Sequence, residues 1–252
     1  MTTTFDDLSG LGEAIAPAPT TQAKAAAPLT PAGAIDELLR DQLRLLRRIE
    51  AGQDLVVIAR GMLLTILASA ASVGVSVGMF RGGVQVLLAG VKLPLVVLLT
   101  AAIVAPVYPA MKRALQQHVS LREDFTLLLS ALALASLVTA SLCPVLLYAI
   151  FSGVAYHALV LLCVAVTGVG GAAGYSLFFK GMNRRLERGH RVISVTLLCA
   201  LALVGAQLSW VMRPYLVRPA EREVPVVRAI EGSFLGAVSR TTQTLLSSGG
   251  RR

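Results

Sequence analysis

The side chains of this chain that could carry chemistry are three cysteines, each in a different apolar segment. Cys143, Cys163 and Cys199 could together hold a metal ion or form a disulfide. The close CxxC or HxxxH spacing of a metal site is missing, and His157 is the only histidine within the apolar segments. Because a free cysteine packs as a small hydrophobic residue, we interpret all three as packing residues and predict no metal and no cofactor.

The elements that must position these residues are five apolar segments without Asp, Glu, Lys or Arg, at 61–80, 93–110, 127–150, 154–179 and 192–212. A helical crossing of the hydrocarbon core needs roughly 20 apolar residues. Backbone inside that core must satisfy its own hydrogen bonds, which favours helices. The sequence therefore predicts an all-α, polytopic integral membrane protein with five transmembrane helices and flanking amphipathic helices.

The composition supports a membrane protein and gives its basic charge a simple explanation. The chain is 55% hydrophobic and 15% charged, with a formal net charge of +9. All of its Lys and Arg residues lie outside the apolar segments, where such residues are expected to contact anionic lipid and set the orientation. We therefore expect membrane lipid as a partner and no nucleic acid. The first residues lack the basic and apolar regions of a signal peptide, so the first crossing is expected to act as the insertion signal.

The apolar segments contain few side chains that could support catalysis or ion-coupled transport. An ion-coupled carrier keeps ionisable groups near the midplane of the bilayer, and the predicted crossings offer Gln207 and hydroxyl groups instead. Hydroxyls usually bond back to their own helix. Paired broken helices in an inverted repeat are not evident either. We expect no enzymatic activity, and a channel built on backbone groups stays open.

The distribution of Lys and Arg predicts the orientation. Residues 35–60 contain five, and the second and fourth connections contain three and five, whereas the first contains two and the third none. The positive-inside rule places the N-terminus in the cytoplasm and, after five crossings, the tail at 213–252 outside. Part of that tail is predicted to form an amphipathic helix. The residues expected to set the orientation are Arg60, Lys112, Arg113, Arg184, Arg185 and Arg188.

Small residues at four-residue spacing predict where helices pack closely. Gly74 and Gly78 share one face of the first crossing, and Gly170 and Gly174 share one face of the fourth. Such faces let two backbones approach in lipid. The spacing does not decide between contacts within one chain and a homo-oligomer.

The N-terminal region predicts a tethered binding element. Residues 1–34 form a disordered arm, since 11–34 are rich in Ala, Pro and Thr. Residues 35–60 are expected to form one cytoplasmic amphipathic helix, which either pairs with another helix or lies on anionic lipid. The expected partner-binding residues are Phe5, Asp6, Asp7 and Leu8 in the arm and Leu39, Leu46 and Ile49 in the helix.

Three motifs carry a resemblance to a known kind of protein. They are Leu88-Ala-Gly-Val-Lys-Leu-Pro-Leu with Thr100 and Pro106, Gly205-Ala-Gln-Leu-Ser-Trp-Val-Met-Arg-Pro214, and Ala229-Ile-Glu-Gly-Ser-Phe234. The chain resembles an uncharacterised family of bacterial multi-pass inner-membrane proteins with a KxP, GAQxxWxxRP and ExxF pattern. Some of its members carry an actin-binding WH2 label that these residues do not support. In layout alone the chain is similar to Yip-type proteins. The resemblance implies a bacterial inner membrane and no established activity.

Together these features favour an anchor or adaptor that recruits a cytoplasmic protein or assembly through its N-terminal arm. One alternative is a small-solute channel or transporter formed by oligomerisation. Another is a lipid-handling or membrane-shaping protein. The sequence names neither the partner nor a solute.

Overall fold

A computed structural model describes residues 29–114, 116, 120–154, 156–185 and 190–211. Helices account for nearly all of this part of the chain, and it contains no β-strand. The helices are α1 (Pro31–Arg40), α2 (Gln42–Glu50), α3 (Leu55–Gly78), α4 (Val84–Val104), α5 (Val107–Ala114), α6 (Leu121–Ser141), α7 (Cys143–Phe151), α8 (Tyr156–Arg185) and α9 (His190–Val211).

Five helical stretches are long and apolar enough to cross a membrane, which confirms the predicted fold class. They are Leu55–Gly78, Val84–Ala114, Leu121–Phe151, Ala158–Arg184 and Arg191–Ser209. Two of them consist of two helices each, because α4 gives way to α5 next to Pro106 and α6 gives way to α7 next to Pro144. Proline lacks the N–H that would continue the ladder of helical hydrogen bonds.

The crossings form a closed ring in the order α3, α4, α9, α8, α6. Helix α3 packs on α4 and α6, α6 packs on α8, α4 packs on α9, and α8 touches α9. Buried side chains of α3, α6 and α8 fill the contact region, among them Ile58, Met62, Leu127, Leu177 and Met182. Up-and-down connections bring the start of α3, the start of α6 and the end of α8 to one end of the ring, which we call the basic end. Glu50 and Arg184 meet there.

Most crossings begin earlier than the apolar pattern indicates. The sequence predicts starts at residues 61, 93 and 127, whereas α3, α4 and α6 begin at Leu55, Val84 and Leu121. The prediction excluded every charged residue, but a helix continues into such residues when its first turns lie at headgroup depth or against other helices. Consequently Arg60, Lys92 and Asp124 belong to helices.

The segment before the first crossing differs from the single helix predicted over 35–60. It contains α1, α2 and the start of α3, with turns at Asp41 and between Glu50 and Leu55. The second turn uses positive φ angles at Gly52 (68°) and Asp54 (53°), which a continuing helix cannot contain. Residues 31–34, predicted to belong to the disordered arm, form the first turn of α1.

Candidate functional site

Helices α1 and α2 form a platform, Pro31–Glu50, that packs against the basic end of the ring. Each helix begins with a side-chain cap: Thr30 Oγ1 accepts a hydrogen bond from the Gly33 N–H at 3.1 Å, and Asp41 Oδ1 accepts one from the Arg44 N–H at 3.0 Å. Helix α1 packs against α3, while α2 contacts α6 and α8. The platform is therefore a part of the folded bundle.

Apolar side chains attach the platform to the ring. Leu38, Leu45, Leu46 and Ile49 are at most 1% exposed and belong to the same core as the membrane helices. The approach is close, since a Cβ atom added to Gly61 of α3 would lie 2.7 Å from the carbonyl oxygen of Pro31. Full burial of a leucine or isoleucine side chain contributes about 1.5–3 kcal/mol, so four such side chains hold the platform firmly.

Ion pairs at the platform's edges fix its position further. Arg48 pairs with Glu37 of α1 at 3.2 Å and with Asp54 at 3.1 Å, and its side chain is 11% exposed. Arg184 at the end of α8 pairs with Glu50 at the end of α2, with 2.8 Å between Nε and Oε1. The first set joins α1, α2 and the turn before α3, and the second ties the platform to α8.

This packing buries some of the residues predicted to bind a partner and leaves another exposed. Leu46 and Ile49 lie against the chain's own helices, whereas Leu39 is 56% exposed. The part of the apolar seam that carries Leu46 and Ile49 is thus covered by the chain's own helices, whereas the part that carries Leu39 is not. Phe5, Asp6, Asp7 and Leu8 lie outside the described residues, and so does the tail at 213–252.

The four packing glycines each face a helix of the same chain. A Cβ atom on Gly74 would collide with the carbonyl group of Ala89 in α4, and one on Gly78 would lie 2.7 Å from Val86 Cα. On α8, Gly170 abuts Thr139 and Ala135 of α6, and a Cβ atom on Gly174 would lie 2.5 Å from the carbonyl oxygen of Ala131. These two faces therefore serve contacts within the chain.

The residues predicted to set the orientation have different surroundings. Arg60 and Arg113 are exposed, and Arg184 is paired with Glu50. Arg185 is the last residue of α8, and Arg188 lies outside the described residues. Lys112 differs from Arg60 and Arg113 because it is only 4% exposed.

Lys112 belongs to a buried ion pair that sequence reasoning missed. Its Nζ atom lies 2.9 Å and 3.1 Å from the two carboxylate oxygens of Asp124, and the two side chains are 5% and 2% exposed. The same Nζ atom lies 5.4 Å from the centre of the Tyr108 ring, which packs edge-on against Phe178. The pair joins α5 to α6. Two residues that lie twelve positions apart on either side of a connection form no sequence pattern that predicts an ion pair.

Lys92 is the second charged residue whose surroundings in the structure differ from the sequence prediction. The sequence places it in the first connection, whereas it is the ninth residue of α4 and 7% exposed. At 1.5 Å per residue, it lies about 12 Å along the helix from Val84. The premise that the crossings lack charged residues is therefore wrong, since Arg60, Lys92 and Asp124 lie within the first, second and third spans.

Several hydroxyl groups of the neighbouring helices donate hydrogen bonds to carbonyl groups of their own helix. Thr65 donates to the Gly61 carbonyl at 2.9 Å, and Thr100 donates to the Val96 carbonyl at 2.7 Å. Cys143, Cys163 and Cys199 carry free thiols on α7, α8 and α9. Within the described ranges, no three His, Cys, Asp or Glu residues come close enough together to hold a metal ion.

Comparison with protein families, curated proteins and solved structures finds no match to this chain. The resemblance carried by the motifs around Leu88, Gly205 and Ala229 thus stays a prediction, and the function must be argued from the geometry.

Proposed function

We propose that this protein is a non-enzymatic anchor of a bacterial inner membrane that recruits a cytoplasmic protein or assembly through its N-terminal arm. The observation that carries the proposal is the α1–α2 platform. An arm that ends at Thr30 is joined directly to a folded element, which is in turn packed into the membrane helices. Whatever binds the arm is then tethered to an element that is packed against the membrane helices.

The orientation supports the same proposal. Arg60, Arg113 and Arg184 lie at the end of the ring that carries the platform. Under the positive-inside rule that end faces the cytoplasm, and five crossings place the C-terminus outside. The arm would then be exposed to cytoplasmic partners, with Phe5 and Leu8 as the apolar contacts and Asp6 and Asp7 as the charged ones.

The test removes the arm without disturbing the platform. Residues 1–28 can be deleted, whereas Thr30 must stay because it caps α1, and Ala34 must stay because it is buried. We expect the deletion to leave insertion and thermal stability in detergent unchanged and to remove the proteins that co-purify with the full chain. The double variant Phe5→Ala, Leu8→Ala should have the same effect, and Thr3→Ala, Ser9→Ala is the matched control. Unchanged recovery in both the deletion and the double variant refutes recruitment by the arm.

A small-solute channel or transporter is the second candidate, and Lys92 is the observation that favours it. An ionisable residue within a membrane span often marks a substrate or ion pathway. Purified protein in liposomes tests this, with Lys92→Met as the variant. Reproducible flux that the variant loses would replace the anchor proposal by transport. We expect no flux, because the Thr100 hydroxyl of the same helix bonds to the Val96 carbonyl of that helix.

A further inference from the structure

A cleft opens at the basic end of the ring, where α4 gives way to α5 and α6 begins. Its volume is about 380 Å³. It is lined by Ala105, Pro106, Pro109, Leu121, Arg122, Asp124 and Phe125. The break between α4 and α5 creates one wall, and the first turns of α6 create the other. One wall belongs to the end of the span Val84–Ala114 and the other to the start of the span Leu121–Phe151. The ends of a span are the parts expected near the boundary between acyl chains and headgroups.

The walls of the cleft are mainly apolar and partly exposed. Leu121 is 58% exposed and Phe125 is 44% exposed, and both lie in the first turns of a membrane helix. Pro106, which is exposed, and Pro109, which is buried, also line the cleft. Such a surface favours a hydrocarbon chain over water.

Two charged residues line the cleft, Arg122 and Asp124, and Arg122 is the one that can bind an anion. Asp124 contributes to the lining, but its carboxylate accepts two hydrogen bonds from Lys112 Nζ, so these two buried charges balance each other. Arg122 is exposed, and its guanidinium group forms no ion pair with any residue that the structure describes. A guanidinium group presents a planar set of donors that fits a phosphate group.

We propose that this cleft binds one anionic phospholipid from the adjoining leaflet. The Arg122 guanidinium donates hydrogen bonds to the lipid phosphate, and one acyl chain lies along Leu121, Phe125 and the two prolines. The first turn of α6 adds backbone N–H groups at the same end. Free inorganic phosphate shares the Arg122 chemistry, but it makes no use of the apolar walls, and for this reason we assign the site to a lipid. The proposal is independent of the recruitment function.

The experiment is native mass spectrometry of the full chain in detergent, with phosphatidylglycerol or phosphatidylcholine added at equal concentrations. We expect phosphatidylglycerol to bind about 10-fold more tightly, because the phosphate of either lipid can accept hydrogen bonds from Arg122 but only phosphatidylcholine brings a second cation, its choline group, next to that guanidinium. Arg122→Gln should weaken phosphatidylglycerol binding about 10-fold. Arg60→Gln is the matched control, because Arg60 is an exposed arginine at the same end that does not line the cleft. It should bind like the wild type.

A second variant tests the apolar walls. Ala105→Phe places a large side chain in the cleft and should displace the lipid while leaving Arg122 in place. Equal binding of the two lipids overturns the proposal, and so does equal phosphatidylglycerol binding by the Arg122→Gln and Arg60→Gln variants. Displacement of the bound lipid by an equal concentration of inorganic phosphate would also overturn it, because the site would then recognise the phosphate alone.

Discussion

Replacing Lys112 by Met removes the cation that faces Asp124 and leaves that carboxylate in a position only 2% exposed. With an effective dielectric constant of about 20, two unit charges separated by 2.9 Å attract each other by about 6 kcal/mol. Desolvation of both groups offsets much of this attraction in the intact pair. Once one partner is lost, the other is a buried charge without that compensation, which typically costs about 3–5 kcal/mol. We therefore expect Lys112→Met to lower the free energy of unfolding by that amount.

The double variant Lys112→Met, Asp124→Leu separates the charge effect from loss of packing. It contains neither buried charge, so its free energy of unfolding should lie within about 1–2 kcal/mol of the wild type. Helix content measured by circular dichroism during a titration from mild detergent into dodecyl sulfate gives the three values. If the double variant is as unstable as Lys112→Met, or if the single variant loses less than about 1 kcal/mol, the pair does not hold α5 against α6.

Other predictions follow from packing and orientation. Gly174→Leu should lower the free energy of unfolding by about 1–3 kcal/mol, because its Cβ atom would meet the backbone of α6. Gly168→Leu, on the same helix with open space around it, should change that free energy by no more than about 0.5 kcal/mol. Leu46→Ala should cost about 2–5 kcal/mol and Leu39→Ala about 0.5 kcal/mol or less, since the first side chain is buried and the second is exposed. Equal effects within either pair, in the same detergent titration, would contradict the packing described. In a variant without the native cysteines, a cysteine at Ser247 should react with an impermeant thiol reagent in intact cells; protection there would refute the outward C-terminus.

The apolar pattern predicts the crossings correctly but not the charged residues that belong to them. Five uncharged segments sufficed for the fold class, because the hydrophobic requirement of a span is a property of consecutive residues. Lys92 and Asp124 were assigned to connections for the same reason, since the rule ends a segment at any charge. Their helices continue because neighbouring helices and a partner such as Lys112 accept the charge.

The candidate site illustrates a second limit. An apolar stripe that contains Leu46 and Ile49 predicts that something covers it, and the stripe alone cannot distinguish a partner, a lipid surface or the same chain. The turns at Asp41 and Gly52 fold the stripe back onto α3, α6 and α8. A contact between residues more than a hundred positions apart, such as Glu50 with Arg184, leaves no periodic trace in the chain.

Hydropathy by itself predicts that the chain is helical and has five stretches long and apolar enough to cross a membrane, because this requirement depends on the transfer of local segments from water to lipid. Packing in three dimensions determines the rest. It assigns Leu46 and Ile49 to the core, turns Gly74 and Gly170 towards helices of the same chain, and places Lys112 beside Asp124. Burial and pairing are properties of neighbours in space, and here those neighbours come from distant parts of the chain.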